Sequence, residues 1–207
     1  MTQTDRQRWD QRYRTGAYAE RPWPSAYLQQ CIPQIAANPV AARALDVACG
    51  RGRNSLYLAQ QGLAVDAVDV SPAALAHGAN SALQAGHMIN WQCQDVLRWA
   101  SARCPLPEQQ YGLIIMFRFV ASALLPVLVQ QLQPGGYLVV EEHMQWSGAQ
   151  QLSGPSNVAF RVTSTELQEA LIPHWQYLDM VDEFAGLVEE PDGSQAALSR
   201  ILVRRQD

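Results

Sequence analysis

Residues 43–59, RALDVACGRGRNSLYLA, constrain the fold more than any other stretch of the chain. Ala44, Leu45, Val47 and Ala48 make a short apolar run beside a turn signal, the pattern of a strand covered on both faces in a parallel sheet. Gly50 and Gly52 then permit backbone angles closed to other residues and let a ligand approach the main chain closely. From Arg53 onward, Leu56, Leu58 and Ala59 fall on one side of a helix whose first N–H groups face whatever occupies the turn. A dinucleotide fingerprint, G-x-G-x-x-G, requires a third glycine for close helix packing, and Ser55 stands there instead. Asp46, inside the strand, would repel a phosphate but could accept hydrogen bonds from an ammonium group. A cationic amino-acid moiety is therefore favoured over a pyrophosphate, and a plain turn without a ligand is the competing reading.

The segment D-x-x-C-G-x-G-R at residues 46–53 resembles motif I of the class I S-adenosylmethionine-dependent methyltransferases. In that family the acidic residue and the glycine turn hold the methionine portion of the cofactor. The resemblance implies an α/β, Rossmann-like fold with a seven-stranded, mostly parallel sheet, an antiparallel C-terminal strand pair and helices on both faces. It also implies cofactor contacts from Asp46, Ala48, Gly50, Gly52, Arg53 and Asn54.

The other segments follow in a matching order. Residues 63–70, LAVDAVDV, alternate as a second strand ending in Asp69, with Ser71 and Pro72 as N-cap and first residue of a helix over 73–85. Asp69 can accept two neighbouring ribose hydroxyls on its two oxygens, or simply help cap that helix. A third strand over 87–93 leads to Asp95; the resemblance gives Asp95 the adenine amino group and Val96 the adjoining backbone contact, with Val70 and Phe117 completing the cofactor set. After a loop with Pro105 and Pro107, YGLIIMF at 111–117 fits a central fourth strand, with Gly112 where many methyltransferases carry Asp. The block FRFVASALLPVLVQQLQPGGYLVVEE resembles a segment of small bacterial tellurite-resistance-type methyltransferases. It predicts a helix over 120–132, a Pro134-Gly135-Gly136 turn and a fifth strand over 137–141. A helix over 163–171 and strands over 174–183 and 196–204 complete the chain. Strands joined without an intervening helix must be antiparallel.

At the N-terminus, residues 4–14 read as a helix with Trp9 and Tyr13 on one face, and 25–36 as a second helix interrupted near Pro33. The first resembles the W-(D/N)-x-R-Y element that folds over the cofactor as a lid in the tellurite-resistance-type group. Trp9 and Tyr13 then contact substrate, or else they merely dock a helix on the core. The expectation is one methyltransferase domain over 1–207 with 1–36 as its helical lid.

At 207 residues and 48% hydrophobic content, the chain can bury a core without disulfides or metal. A formal charge of -4 offers no basic field for nucleic acid. Cys31, Cys49, Cys93 and Cys104 lack metal-site or disulfide spacing, and no apolar run is long enough to span a membrane, so a cytoplasmic setting is expected.

The resemblance implies methyl transfer from S-adenosylmethionine, leaving S-adenosylhomocysteine, to a small-molecule acceptor, with neither nucleic acid nor membrane as partner. A soft sulfur, selenium or tellurium nucleophile needs no base, whereas a hydroxyl acceptor does. No catalytic residue is assigned, and His143 and Arg118 are the candidates. His143 lies at a sheet end beside Glu141, as a base or as a packing residue. Arg118 could anchor an anionic substrate or pair with Glu141 or Glu142, and the loop over 143–160 could line the pocket. A non-catalytic cofactor-binding module and a nicotinamide-dependent oxidoreductase are the alternatives.

Overall fold

The computed structural model describes residues 3–16, 21–37, 42–101 and 110–207, with side chains from residue 6 onward. The loop expected around Pro105 and Pro107, with Cys104, lies outside these. Seven strands form one sheet in the order β3-β2-β1-β4-β5-β7-β6. They are β1 (Arg43–Val47), β2 (Ala64–Asp69), β3 (Asn90–Cys93), β4 (Tyr111–Phe117), β5 (Leu132–His143), β6 (Leu178–Glu189) and β7 (Gln195–Arg205). The first five pair in parallel, and β7 runs antiparallel between β5 and β6. All seven residues of β4 are buried, as the unbroken apolar run of a central strand requires.

Alternation along each strand sends side chains to two cores. Leu45, Val47, Ile114, Met116, Leu138 and Val140 face one, closed by α5 (Leu97–Ala100), α6 (Leu125–Gln130) and α7 (Glu166–Leu171). Ala44, Leu113, Ile115 and Val139 face the other, covered by α2 (Ala26–Ala36) and α3 (Arg53–Gln60). Two further helices, α1 (Gln3–Arg14) and α4 (Pro72–Gln84), lie against each other. Among the described residues, no helix is long and apolar enough to cross a membrane.

Several boundaries differ from the sequence expectations. The helix expected over 120–132 is a 3-10 turn, Ser122–Leu124, followed by the six-residue α6. Pro126 occupies the first turn of α6, where its missing N–H costs nothing, and it cannot sit inside a longer helix without a clash. Leu132, placed in that helix from sequence, already pairs with Tyr111 as the start of β5, across a bulge. The strand expected over 174–183 begins at Leu178, after a 3-10 segment containing Pro173, and runs on to Glu189. Pairing along β7 carries Ala185 and Gly186 into strand despite their weak propensity. The third strand is shorter than expected: its pairing with β2 begins at Asn90, opposite Asp66. Helix α2 passes through Pro33 without a break; Pro33 and Gln29, whose carbonyl it cannot bond, are both exposed.

Candidate functional site

The carboxyl end of β1 opens into a turn held by left-handed residues: Ala48 (φ 55°), Gly50 (φ 56°) and Gly52 (φ 72°). The Cys49 amide donates to Val68 O (3.0 Å) and the Gly52 amide to Cys49 O (2.9 Å), tying the turn to β2 and to itself. Gly52 is the N-cap of α3 and provides no side-chain cap; the Ser55 amide in that first turn bonds Asp46 instead. Both glycines also lie against aromatic side chains. A Cβ at Gly50 would lie 2.6 Å from the Tyr13 hydroxyl, and one at Gly52 would collide with the Trp91 indole.

Asp46 is buried beneath this turn, where its Oδ2 accepts from Ser55 Oγ at 2.6 Å. Burial pushes its carboxyl up to about 7, against the pull of the Ser55 hydrogen bonds and the Arg53 charge. Among the described residues no cation bonds it. Ser55, the residue that departs from the dinucleotide pattern, is thus its hydroxyl partner.

Asp69, at the end of β2, accepts the Gly50 amide on Oδ2 (2.9 Å) and the Ser71 amide on Oδ1 (2.8 Å). Burial raises its pKa in spite of these backbone donors. It braces the glycine turn and the start of α4 together. Val70 O accepts from the Cys93 thiol at 3.7 Å. Asp95 Oδ1 accepts the Leu97 amide (3.2 Å), and Val96, buried, is the N-cap of α5. Phe117 closes β4, 7% exposed.

Helix α1 runs across these loops. Asp10 Oδ1 accepts from Ser71 Oγ (2.8 Å) and the Ala73 amide (3.0 Å), a second N-cap for α4 supplied from elsewhere in the chain. The Ala73 amide does most to hold the Asp10 carboxyl below its ordinary range, and Arg14 adds an ion pair at 2.8 Å. Tyr13 reaches Gly50, and its carbonyl accepts from Arg51 Nη2 at 3.4 Å. Trp9 lies against Tyr13, with ring centroids 6.3 Å apart, and under Arg12. Sequence reasoning passed over Asp10 between these aromatics; the need to cap α4 was the available signal. It also passed over Trp91, whose ring is accommodated by Gly78 of α4 as well as by Gly52.

A second cluster lies at the ends of β4, β5 and β7. Arg118, just past β4, is left-handed at φ 59°, a strained angle for a side-chain-bearing residue. Its Nε donates to Glu141 Oε1 (3.0 Å), Nη1 to His143 Nε2 (3.0 Å) and Nη2 to Glu190 Oε1 (2.7 Å). The sequence left Glu141 and Glu142 as alternative partners, and Glu141 is the one bonded. Burial would raise the pKa of Glu141, but Arg118 and Arg200 outweigh it and hold the residue ionised. Glu142, on the opposite face, accepts the Phe119 amide, and its buried Oε2 has no partner among the described residues; burial pushes its carboxyl well up. His143 is pushed down to about 3 by burial and then by Arg118, Arg161 and Arg21. Arg53, the first residue of α3, donates to Trp23 O (3.2 Å), and Asn54 Oδ1 accepts the Ser25 amide (2.9 Å), so residues 21–25 cover the start of α3.

The site lies at the carboxyl ends of parallel strands, where ligands bind in open α/β sheets. Residues 44–136, which carry the glycine turn and both acidic strand ends, match the family model described as a methyltransferase domain. That match spans less than half of the chain, over the same residues that resemble the class I S-adenosylmethionine-dependent methyltransferases. A curated relative, the ubiquinone biosynthesis O-methyltransferase of Xylella fastidiosa (strain 9a5c), is 35% identical over 105 residues, covering 48% of this chain and 41% of that protein. The crystal structure of TehB from Haemophilus influenzae is similar with a TM-score of 0.68 at 17% identity, over 92% of this chain and 66% of that one. Magnesium protoporphyrin IX methyltransferase from Synechocystis PCC 6803, solved with bound SAM, is similar with a TM-score of 0.65 at 14% identity, over 98% and 97% of the two chains. At these identities the structural likenesses carry the fold: a seven-stranded sheet with one antiparallel strand beside its edge.

Proposed function

We propose that this chain transfers a methyl group from S-adenosylmethionine to a small-molecule acceptor in the cytoplasm, as a single domain over 1–207 whose first 36 residues serve as a lid. The observation that carries this reading is Asp46, a buried carboxyl that no cation bonds among the described residues, set beneath a glycine-rich turn and the first turn of α3. An ammonium group entering the turn would supply the missing charge, and a carboxylate beside it would meet the α3 amides and the Arg53 guanidinium. Asp69 and Asp95 stand at the next two strand ends, where a carboxylate is the group that receives ribose hydroxyls and an adenine amino group. When bound, the sulfonium donor supplies an electrophilic methyl group and departs as S-adenosylhomocysteine.

The protein's own contribution is alignment and exclusion of water. Tyr13 and residues 21–25 cover the turn and the start of α3. Burial and the charges of Asp46 and Asp69 raise the Cys49 thiol far above neutrality, which keeps it from acting as a nucleophile. A His143 nitrogen that accepts from the Arg118 guanidinium, on a ring held neutral, is poorly placed to take a substrate proton. This favours an acceptor that attacks without a base, such as a thiolate or a reduced selenium or tellurium species. The test is incubation of the protein with S-adenosylmethionine and a metabolite mixture, with mass detection of S-adenosylhomocysteine and of methylated products. Failure to bind either cofactor form, together with no products, would overturn the reading.

A further inference from the structure

Arg118 holds its two carboxylates in unlike ways. Glu141 has a side chain 1% exposed and is shared by Arg118, Arg200 and Ser25, so it belongs to the interior. Glu190 comes from the turn between β6 and β7, and its side chain is 16% exposed. Among the described residues, its carboxylate bonds only Arg118. That turn is fixed independently of the carboxylate: the Glu190 amide donates to Ser194 O (2.7 Å), and the Gly193 amide donates to Glu190 O (2.9 Å). Arg21 and Asp192 add an outer tie at 3.3 Å. Glu190 can therefore leave Arg118 by rotating its side chain, with the backbone unmoved.

The position suits a substrate contact. Val47 pairs with Met116, so Arg118, two residues further on, stands level with the turn that follows β1. Arg53 lies in the same field, favoured by Glu141 and Glu190 and opposed by Arg118, and its guanidinium donates to Trp23 O. Glu141 Oε1 lies 3.0 Å from both Nε and Nη2 of Arg118, and His143 Nε2 accepts from Nη1, so the solvent-reaching Glu190 carboxylate shares Nη2 with Glu141 at the shorter distance of 2.7 Å.

Resting on the methyl-transfer reading, we infer that Arg118 is the seat for a carboxylate on the methyl acceptor, and that Glu190 occupies this seat until the acceptor displaces it. Arg53, Arg118 and Arg200 share one field with Glu141 and Glu190, so a carboxylate that takes the place of Glu190 keeps the Arg118 guanidinium paired. A neutral acceptor that displaced Glu190 would leave a guanidinium short of a partner, at a cost. The seat thus selects carboxylate-bearing acceptors, with Glu190 as the internal competitor.

The test compares wild type with Glu190→Gln, which keeps a neutral acceptor near Nη2. Calorimetric titration at constant ionic strength uses benzoate as the carboxylate probe, benzamide as its uncharged control and S-adenosylhomocysteine as the cofactor control. Glu190→Gln is expected to bind benzoate at least about tenfold more tightly than wild type, with benzamide unchanged and S-adenosylhomocysteine affinity equal in the two proteins. Adding Arg118→Lys should abolish the gain; if that double variant does not fold, the benzoate comparison alone decides. Equal benzoate affinity in wild type and Glu190→Gln overturns the inference. Loss of S-adenosylhomocysteine binding in both proteins instead counts against the methyl-transfer reading, and the benzoate comparison still reads the seat.

Discussion

Replacing Asp46 with Asn should move stability and cofactor affinity in opposite directions. The Asp46 carboxyl titrates at about 7 in the folded protein, against an ordinary 3.8. The folded state therefore binds more protons between these values, and stability falls as pH rises through that window. The penalty, present in full above pH 7, is about 4 kcal/mol by linkage. Asn has nearly the same shape, carries no charge, and can exchange hydrogen bonds with Ser55 Oγ in either direction. Asp46→Asn should match wild type near pH 4 and exceed it by up to ~4 kcal/mol at pH 8, read by urea denaturation across the range. It should also remove the partner of the ligand's ammonium group, at a cost of about 1.5–3 kcal/mol, or roughly 10- to 150-fold in S-adenosylhomocysteine affinity by calorimetry. A variant that is less stable at pH 8 and binds as wild type does would refute the argument.

The remaining predictions concern the surroundings of the turn. His143, folded at about 3 against an ordinary 6.5, contributes stability that is present above pH 6.5 and lost as pH falls toward 3. His143→Gln should therefore be about 2–3 kcal/mol more acid-resistant at pH 4.5 in denaturant titrations, and the wild-type kcat profile should lack a histidine inflection near pH 6.5. Gly78→Ala would gain about 1 kcal/mol on helix propensity alone. Its Cβ, however, would lie 2.5 Å from the Trp91 ring and 2.9 Å from Arg51 O, so thermal unfolding should show a net loss of roughly 1–3 kcal/mol. Asp10→Ala removes the shared cap of α4 and should free α1 by about 1 kcal/mol, seen as roughly fivefold faster tryptic cleavage at the α1 arginines with the core melting point little changed.

Much of the architecture was legible because its signals are local. The apolar run before Gly50 marks β1, YGLIIMF marks β4 to the residue, and Ser71-Pro72 marks the start of α4 with Ser71 as its cap. What stayed hidden depends on partners distant in the chain. Arg118 is joined to Glu190 across 72 residues, and no spacing rule links a strand end to a hairpin turn so far away. Asp10 caps a helix 61 residues later through Ser71, and Trp91 dictates glycine at both 52 and 78. The extent of β6 was missed for a related reason. Ala185 and Gly186, in its second half, become strand only because β7 lies alongside.

The account rests on Asp46 meeting a cation brought by the ligand, and proton release on binding tests this most directly. Calorimetry of S-adenosylmethionine binding at pH 6.5, in buffers of different ionisation enthalpy, counts the protons exchanged. The account predicts that wild type releases a large fraction of one proton as Asp46 ionises against the ammonium group, and that Asp46→Asn releases essentially none. No release by wild type, or equal release by both proteins, would contradict it.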